Sequence, residues 1–200
     1  MQYRFLTSSL PMSDFYLDSR KTALVAIDLQ NAIMSISTAP YPVTEVVQKN
    51  GQIANELRER GGLIVWVRVD LKYLLELPVD QPPSFAGKQL PDELSEIAPS
   101  AGFHEGDLLI TKRHWGAFAG TALEEQLSIR KIDTVLLTGV STNAGVESTL
   151  RQGTGLGLGF VVVEDACSGQ DAEEHRFAVA KIFPRLARVR TTEEVLKALA

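Results

Sequence analysis

The chain has 200 residues, 44% hydrophobic and 22% charged, with a formal net charge of -5. That size suits one globular domain with a real core, and the acidic excess excludes nucleic acid as the main partner, because phosphate binding needs clustered basic charge. One cysteine, Cys167, excludes an internal disulfide and fits a reducing, cytoplasmic setting, and no apolar run reaches membrane-spanning length or forms a signal-like N-terminus.

In chain order, residues 1–20 read as an N-terminal arm over the domain or a partner subunit, and residues 21–200 as a single domain. Residues 22–28, "TALVAID", form an apolar run ending in a charge, as a strand buried on both faces does. Residues 43–60 place Val43, Val46, Val47, Ile53, Ala54 and Leu57 on one helix face, closed by Gly61-Gly62. Residues 63–69, "LIVWVRV", predict a second strand. Residues 70–107, with Pro78, Pro82, Pro83, Pro91 and Pro99, read as an insertion serving as lid, pocket wall or interface.

Residues 108–112, "LLITK", predict a third strand. Thr121 with Glu124 predicts a capping box for a helix to about Arg130. Residues 134–139 and 160–166 predict strands four and five. A helix over roughly 172–183 precedes a short sixth strand at 187–190. Thr191 with Glu194 boxes the last helix. The alternation predicts a three-layer α/β fold: a six-stranded, mostly parallel, Rossmann-like sheet with helices on both faces.

Such sheets bind ligands beyond the carboxyl ends of their strands, near the point where strand order reverses. Three features fall on that rim. Asp28 closes strand one in "VAIDLQN", Lys112 closes strand three in "LITKRHWGAF", and strand four runs into "GVSTNAGVEST". Each has an ordinary structural reading: a turn acceptor, a solvated lysine, and a helix N-cap at Thr142 or Asn143. One fold rule nevertheless puts all three on the same edge.

The segments "LVAIDLQN", "ITKRHWGAFAGTALEEQL", "VLLTGVSTNAGVEST", "VVVEDACSG" and "RLARVRTTEEVL" resemble the isochorismatase-like superfamily, also called cysteine hydrolases, from about residue 20 onward. The resemblance implies an Asp, Lys, Cys triad, which gives Asp28 and Lys112 here. At the position of the cysteine this chain has Gly145. It also implies a cis peptide between Val140 and Ser141. Trp115, Phe118 and Ile33 are candidates for an apolar wall, with core packing as the ordinary alternative. Gln30, Ser141, Thr142 and Ala144 join Trp115 and Phe118 as candidate substrate contacts.

Without a thiol, thioester chemistry is closed. Isochorismatases proper, which also carry glycine there, cleave a vinyl ether by protonation, and that requires a general acid. The resemblance therefore implies a hydrolase of a small, carboxylated molecule, with Asp28 as acid, its pKa raised by burial and opposed by Lys112. Gly145 would leave room for the enol-pyruvyl group. The alternative is a binding or regulatory protein on a retired hydrolase scaffold. A rival triad of Ser141, Asp165 and His175 follows the α/β-hydrolase order. Cys167 reads as a buried hydrophobe.

"GTGLGLG" at residues 153–159 lies after a helix and before a strand, the reverse of a dinucleotide fingerprint. His104, His114 and His175 lack metal-ligand spacing. Nicotinamidase-like relatives bind metal through Asp-x-His after strand two. Here that place reads "VDLKYL", with Asp70 and no histidine, so no metal and no cofactor is expected. The arm and the insertion suggest a homo-oligomer.

Overall fold

Every residue of β1 (Thr22–Ile27) is buried. Successive side chains of a strand point to opposite faces, and here they enter two separate cores. Leu24 and Ala26 pack on one face, and Ala23, Val25 and Ile27 on the other. A strand with no wet face must lie inside a sheet covered on both sides. The structure, a computed structural model, describes residues 15–83 and 87–199.

Around β1 stand β2 (Leu63–Val69), β3 (Leu108–Lys112), β4 (Thr134–Val140), β5 (Gly159–Ser168) and β6 (Arg188–Arg190). Their order is β3-β2-β1-β4-β5-β6, and every neighbouring pair is parallel. Strand order reverses between β1 and β4, so the rim beyond these two strands is where the topology leaves a crevice.

The helices are α1 (Asn31–Met34), α2 (Val43–Glu59), α3 (Leu123–Ile129), α4 (Glu147–Gly155), α5 (Ala172–Phe177) and α6 (Thr192–Leu199). The apolar stripe of α2 and Val195 and Leu199 of α6 close over one face of the sheet. Leu123 and Leu127 of α3, Leu150 of α4 and Phe183 fill the other. One polar residue interrupts the α2 stripe. Buried Asn50 donates to the carbonyls of Val46 and Ala166 and accepts from Thr138, so its amide has the partners that burial demands.

Most strand bounds agree with the sequence to within two residues. The helix starts do so less well. Thr191 and Glu194 form the expected capping box, each bonding the other's backbone amide. The Thr121–Glu124 box is not made. α3 begins two residues after Thr121, whose Oγ1 donates to Ala117 O and accepts from Leu123 N. A hydroxyl that can bond its own loop does so before it caps a helix. The expected helix at 172–183 is α5 followed by a wide turn at Ala178–Ile182 and a tight one at Phe183–Arg185; Pro184, which has no N–H to donate, stands in that last turn.

Of the predicted arm, residues 1–14 lie outside the described residues. The guanidinium groups of Arg188 and Arg190 lie 5.1 and 5.0 Å from the centre of the Phe15 ring, and the Leu17 amide donates to Ala198 O. The insertion holds short turns at Leu71–Tyr73, Asp92–Ser95 and Pro99–Ala101. Its C-terminal end is pinned by Asp107, which accepts from Arg58, the Trp66 indole and the His104 amide. No described helix is long and apolar enough to cross a membrane.

In the pairing of β1 with β4, Gly139 stands opposite Ile27. Gly139 has φ of 112°, and a Cβ there would fall 2.1 Å from Ile27 O. Both the backbone angle and the contact require glycine. Gly139→Ala is therefore expected to destabilise the protein by about 3 kcal/mol or more, read as a lowered urea midpoint. A midpoint equal to the parent's would contradict this packing.

Candidate active site

Asp28 ends β1 in a left-handed turn, with φ of 55°. Asparagine and aspartate tolerate that region better than other side chains. The turn lets the Asp28 amide donate to Val67 O while its carbonyl receives the Gln30 amide. The carboxyl is thereby buried at the rim, 7% exposed as a residue.

Lys112 is the last residue of β3, two strands away. Strands stand about 4.8 Å apart, so only a long side chain covers the distance over the end of β2. Its ammonium is 2% exposed as a residue and donates to Asp28 Oδ2 at 2.8 Å and to His114 O at 3.1 Å. The other carboxyl oxygen, Asp28 Oδ1, is buried without a partner. Burial disfavours the carboxylate and Lys112 favours it; burial is the larger effect, so the Asp28 pKa lies above its ordinary value.

β4 ends at a cis peptide between Val140 and Ser141 and enters a wide turn, Thr142–Val146. The amides of Ala144 and Val146 both return to Ser141 O. Gly145 is buried in this turn. A Cβ built on it would lie 2.9 Å from Ile27 Cγ2, 3.3 Å from Asp28 Oδ2 and 3.5 Å from Trp115 O. This corrects the expectation that the glycine leaves room for substrate. Its missing side chain is used up by close packing of the turn against Asp28.

One hydroxyl fixes that packing. Thr149 Oγ1 donates to Gly145 O at 2.7 Å and accepts from Ala117 N at 3.0 Å. Gln152, the next position on the same face of α4, accepts from Phe118 N. The helix thus ties the loop after β3 to the Gly145 turn. Thr149 lies in the quoted stretch, four residues after Gly145, but only the fold shows what it holds.

The other sequence-predicted contacts divide. Ser141 and Ala144 are half-buried in the turn. Trp115 brings its carbonyl to Gly145, while 59% of the residue remains exposed. Gln30 is corrected to a structural clamp: fully buried, it bonds Val69 N and O and Leu94 O, which leaves it no face for a ligand. Phe118 is corrected to core, packed against the α4 backbone near Gly153. Ile33 packs against the α2 core. Thr142 does not cap a helix; it is fully buried against His175. Asn143 likewise bonds Glu174 instead of capping.

The rival triad is not assembled. His175 bonds Thr142, and Asp165 accepts from Lys49 and Thr192. Cys167 is buried on β5, where its thiol faces Leu137 O and burial pushes its pKa up. Of residues 153–159, 153–155 end α4, 156–158 form the turn, and Gly159 opens β5. Asp70 accepts from the Tyr73 amide, capping a turn. Among the described residues, no group of three or more His, Cys, Asp and Glu side chains gathers as metal ligands would.

Comparison with known proteins bears on this arrangement. The family model described as an isochorismatase domain matches residues 22–194. The uncharacterized isochorismatase family protein YecD of Escherichia coli O157:H7 is 44% identical over 187 residues, covering 92% of this chain and 98% of that protein. Ureidoacrylate amidohydrolase RutB of Cronobacter sakazakii is 30% identical over 178 residues, covering 73% and 74% of the two chains. The solved structure of an isochorismatase family protein from Burkholderia thailandensis superposes with a TM-score of 0.88 at 39% identity, covering 94% of this chain and 99% of that one.

The raised pKa of Asp28 has a signed consequence for stability. Between its ordinary and its folded value, the folded protein binds the proton more tightly than the unfolded chain. Stability from this group is therefore full below the ordinary carboxylate value and is lost as pH rises through the folded value. Asp28→Asn has no such loss. Its deficit in urea-unfolding stability relative to the parent should shrink as pH rises from 4 to 7. A deficit that grows over the same range would show that Lys112, not burial, controls the group.

Proposed function

The chain belongs to the isochorismatase family, and on that premise we propose that it is a hydrolase of a small carboxylated molecule, working without a covalent thiol intermediate. The observation that carries this reading is the buried Asp28 carboxyl, paired with Lys112 through one oxygen and unpartnered at the other. A buried carboxyl with a raised pKa holds a proton it can deliver.

Vinyl-ether hydrolysis fits these parts best. Asp28 transfers its proton to the terminal vinyl carbon, and the electron pair of the double bond forms the new C–H bond. The ether oxygen shares the resulting positive charge as an oxocarbenium ion. Lys112, 2.8 Å from Asp28 Oδ2, stabilises the carboxylate that this step produces. Water adds to the cation and returns a proton to Asp28. The hemiketal then breaks its C–O bond, releasing a keto acid and an alcohol. Burial raises the acid's hold on its proton, and Lys112 makes the proton's departure less costly.

Gly145 has no side chain with which to attack an amide carbonyl, and the thiol of Cys167 is buried. The relative RutB bears the name of a small carboxylate, ureidoacrylate. For this chain that name supports the size and charge of the substrate, not the bond broken. A substrate carboxylate near Lys112 would offset the ammonium and favour neutral Asp28.

Incubation with isochorismate, with pyruvate measured as the product, is expected to show turnover that Asp28→Ala reduces at least about a thousandfold, on the scale of losing general-acid catalysis, while circular dichroism stays unchanged. Turnover intact in that variant would end the reading. Tight ligand retention without turnover across carboxylic acids, enol ethers and amides would identify a binding protein instead.

Gly145→Cys tests how closely the turn packs on Asp28. Its Cβ must push Ile27 and Asp28 by a few tenths of an ångström, an overpacking cost of about 1–3 kcal/mol. The variant's urea midpoint should fall accordingly, and a midpoint equal to the parent's would contradict this packing.

A further inference from the structure

Two adjacent residues of the Gly145 turn are held from outside by two adjacent residues of α5. Thr142 Oγ1 lies 2.8 Å from His175 Nδ1, both buried. Asn143 Nδ2 donates to Glu174 Oε2 at 2.8 Å. The far side of the imidazole is also occupied: Nε2 stands 3.9 Å from Glu164 Oε2 on β5. The same oxygen accepts the Tyr41 hydroxyl at 3.1 Å, and the Tyr41 ring meets the imidazole edge-on at 5.8 Å. Burial and the Glu164 charge push the Tyr41 phenol up to about 12, so it remains a donor. Tyr41 is fixed in turn by its backbone, which donates to and accepts from Ser168 Oγ.

The direction of the Thr142 bond follows the tautomer. At 3.9 Å the Glu164 carboxylate makes no hydrogen bond to Nε2 but its field favours the ring proton on that side, and in that tautomer Nδ1 accepts from the Thr142 hydroxyl. The helix that carries the ring is itself anchored, since Asp171 accepts from the amides of Glu173 and Glu174. Within the turn, the amides of Ala144 and Val146 bond Ser141 O, and the Thr142 side chain is fixed from outside, by His175. Ser141 supplies no side-chain cap, and the Thr149 bond acts only on Gly145 O.

We propose that His175 is a positioning residue: by accepting from Thr142 it fixes the first half of the 142–146 turn, and thereby the place of Gly145 against Asp28, without touching substrate. This rests on the reading that the turn lines the site, and on no particular reaction. Glu164 and Tyr41 orient the ring, and α5 is the rigid element from which the restraint is applied.

The test uses full-length His175→Phe, which keeps bulk and loses the acceptor, His175→Asn, which keeps an acceptor near the Nδ1 position, and Thr142→Val. Amide hydrogen exchange at residues 142–146 is followed by NMR, together with the two-bond nitrogen spectrum of the histidines. The parent should show His175 protonated at Nε2. Exchange in the turn should accelerate at least about tenfold in His175→Phe and in Thr142→Val, the scale of one lost buried hydrogen bond. The double variant should be no faster than either single one, His175→Asn should stay near the parent, and β1 amides should be unaffected. An Nδ1-protonated ring, unchanged exchange in Thr142→Val, or additive effects in the double variant would each overturn the proposal. If His175→Phe does not fold, Thr142→Val and the tautomer decide it. Absence of turnover in the parent would instead count against the hydrolase reading and leave the exchange result standing.

Discussion

The bond between Lys112 and Asp28 is the constraint on which the site depends. It joins the ends of two strands that are not neighbours, across the end of β2. Both side chains are almost wholly withdrawn from water. Desolvating two charges costs several kcal/mol per ion, and their attraction repays this only with good geometry and further hydrogen bonds. Lys112 has such a second bond, to His114 O. Asp28 does not, since Oδ1 is left unpaired. A buried carboxyl oxygen without a partner adds to the cost of the charged form.

Everything around the pair serves to hold it. The left-handed turn at Asp28 aims the carboxyl along the rim. Gly139 lets β1 and β4 approach, and Gly145 lets the next turn close over Asp28 Oδ2. Thr149 and Gln152 fasten the loop after β3 from one side, while Glu174 and His175 reach the turn from the other. Glycines thus permit the close approach, and polar side chains on two helices bond the loop and the turn around it.

Much of this was legible in the sequence. The apolar runs at 22–28, 63–69 and 134–139 mark buried strands because a parallel strand covered on both faces has no room for polar residues. The strand-end rule then places Asp28, Lys112 and the Gly145 turn on one rim, since it depends on topology alone. What sequence did not disclose are choices among partners close in energy. Gln30 follows Asp28 and looks available to a ligand, yet its amide satisfies the backbone of β2 and of the insertion. Phe118 lies in the loop after Lys112 but turns inward to the core. Thr142 has a cap's composition and bonds a histidine 33 residues away. Thr121 fits a capping box and bonds its own loop. Each is a polar or aromatic group with a local and a distant option, and tertiary packing decides between them.

The central claim is that burial outweighs the Lys112 charge, so that Asp28 carries a proton under conditions where an ordinary carboxyl would not. Its most direct test is the carbon chemical shift of the Asp28 side-chain carboxyl, followed by NMR through a pH titration of the unmodified protein. The account predicts a single transition displaced above the ordinary carboxylate range. A carboxyl that is ionised throughout, or that titrates at or below that range, would contradict it and leave Lys112 the stronger influence.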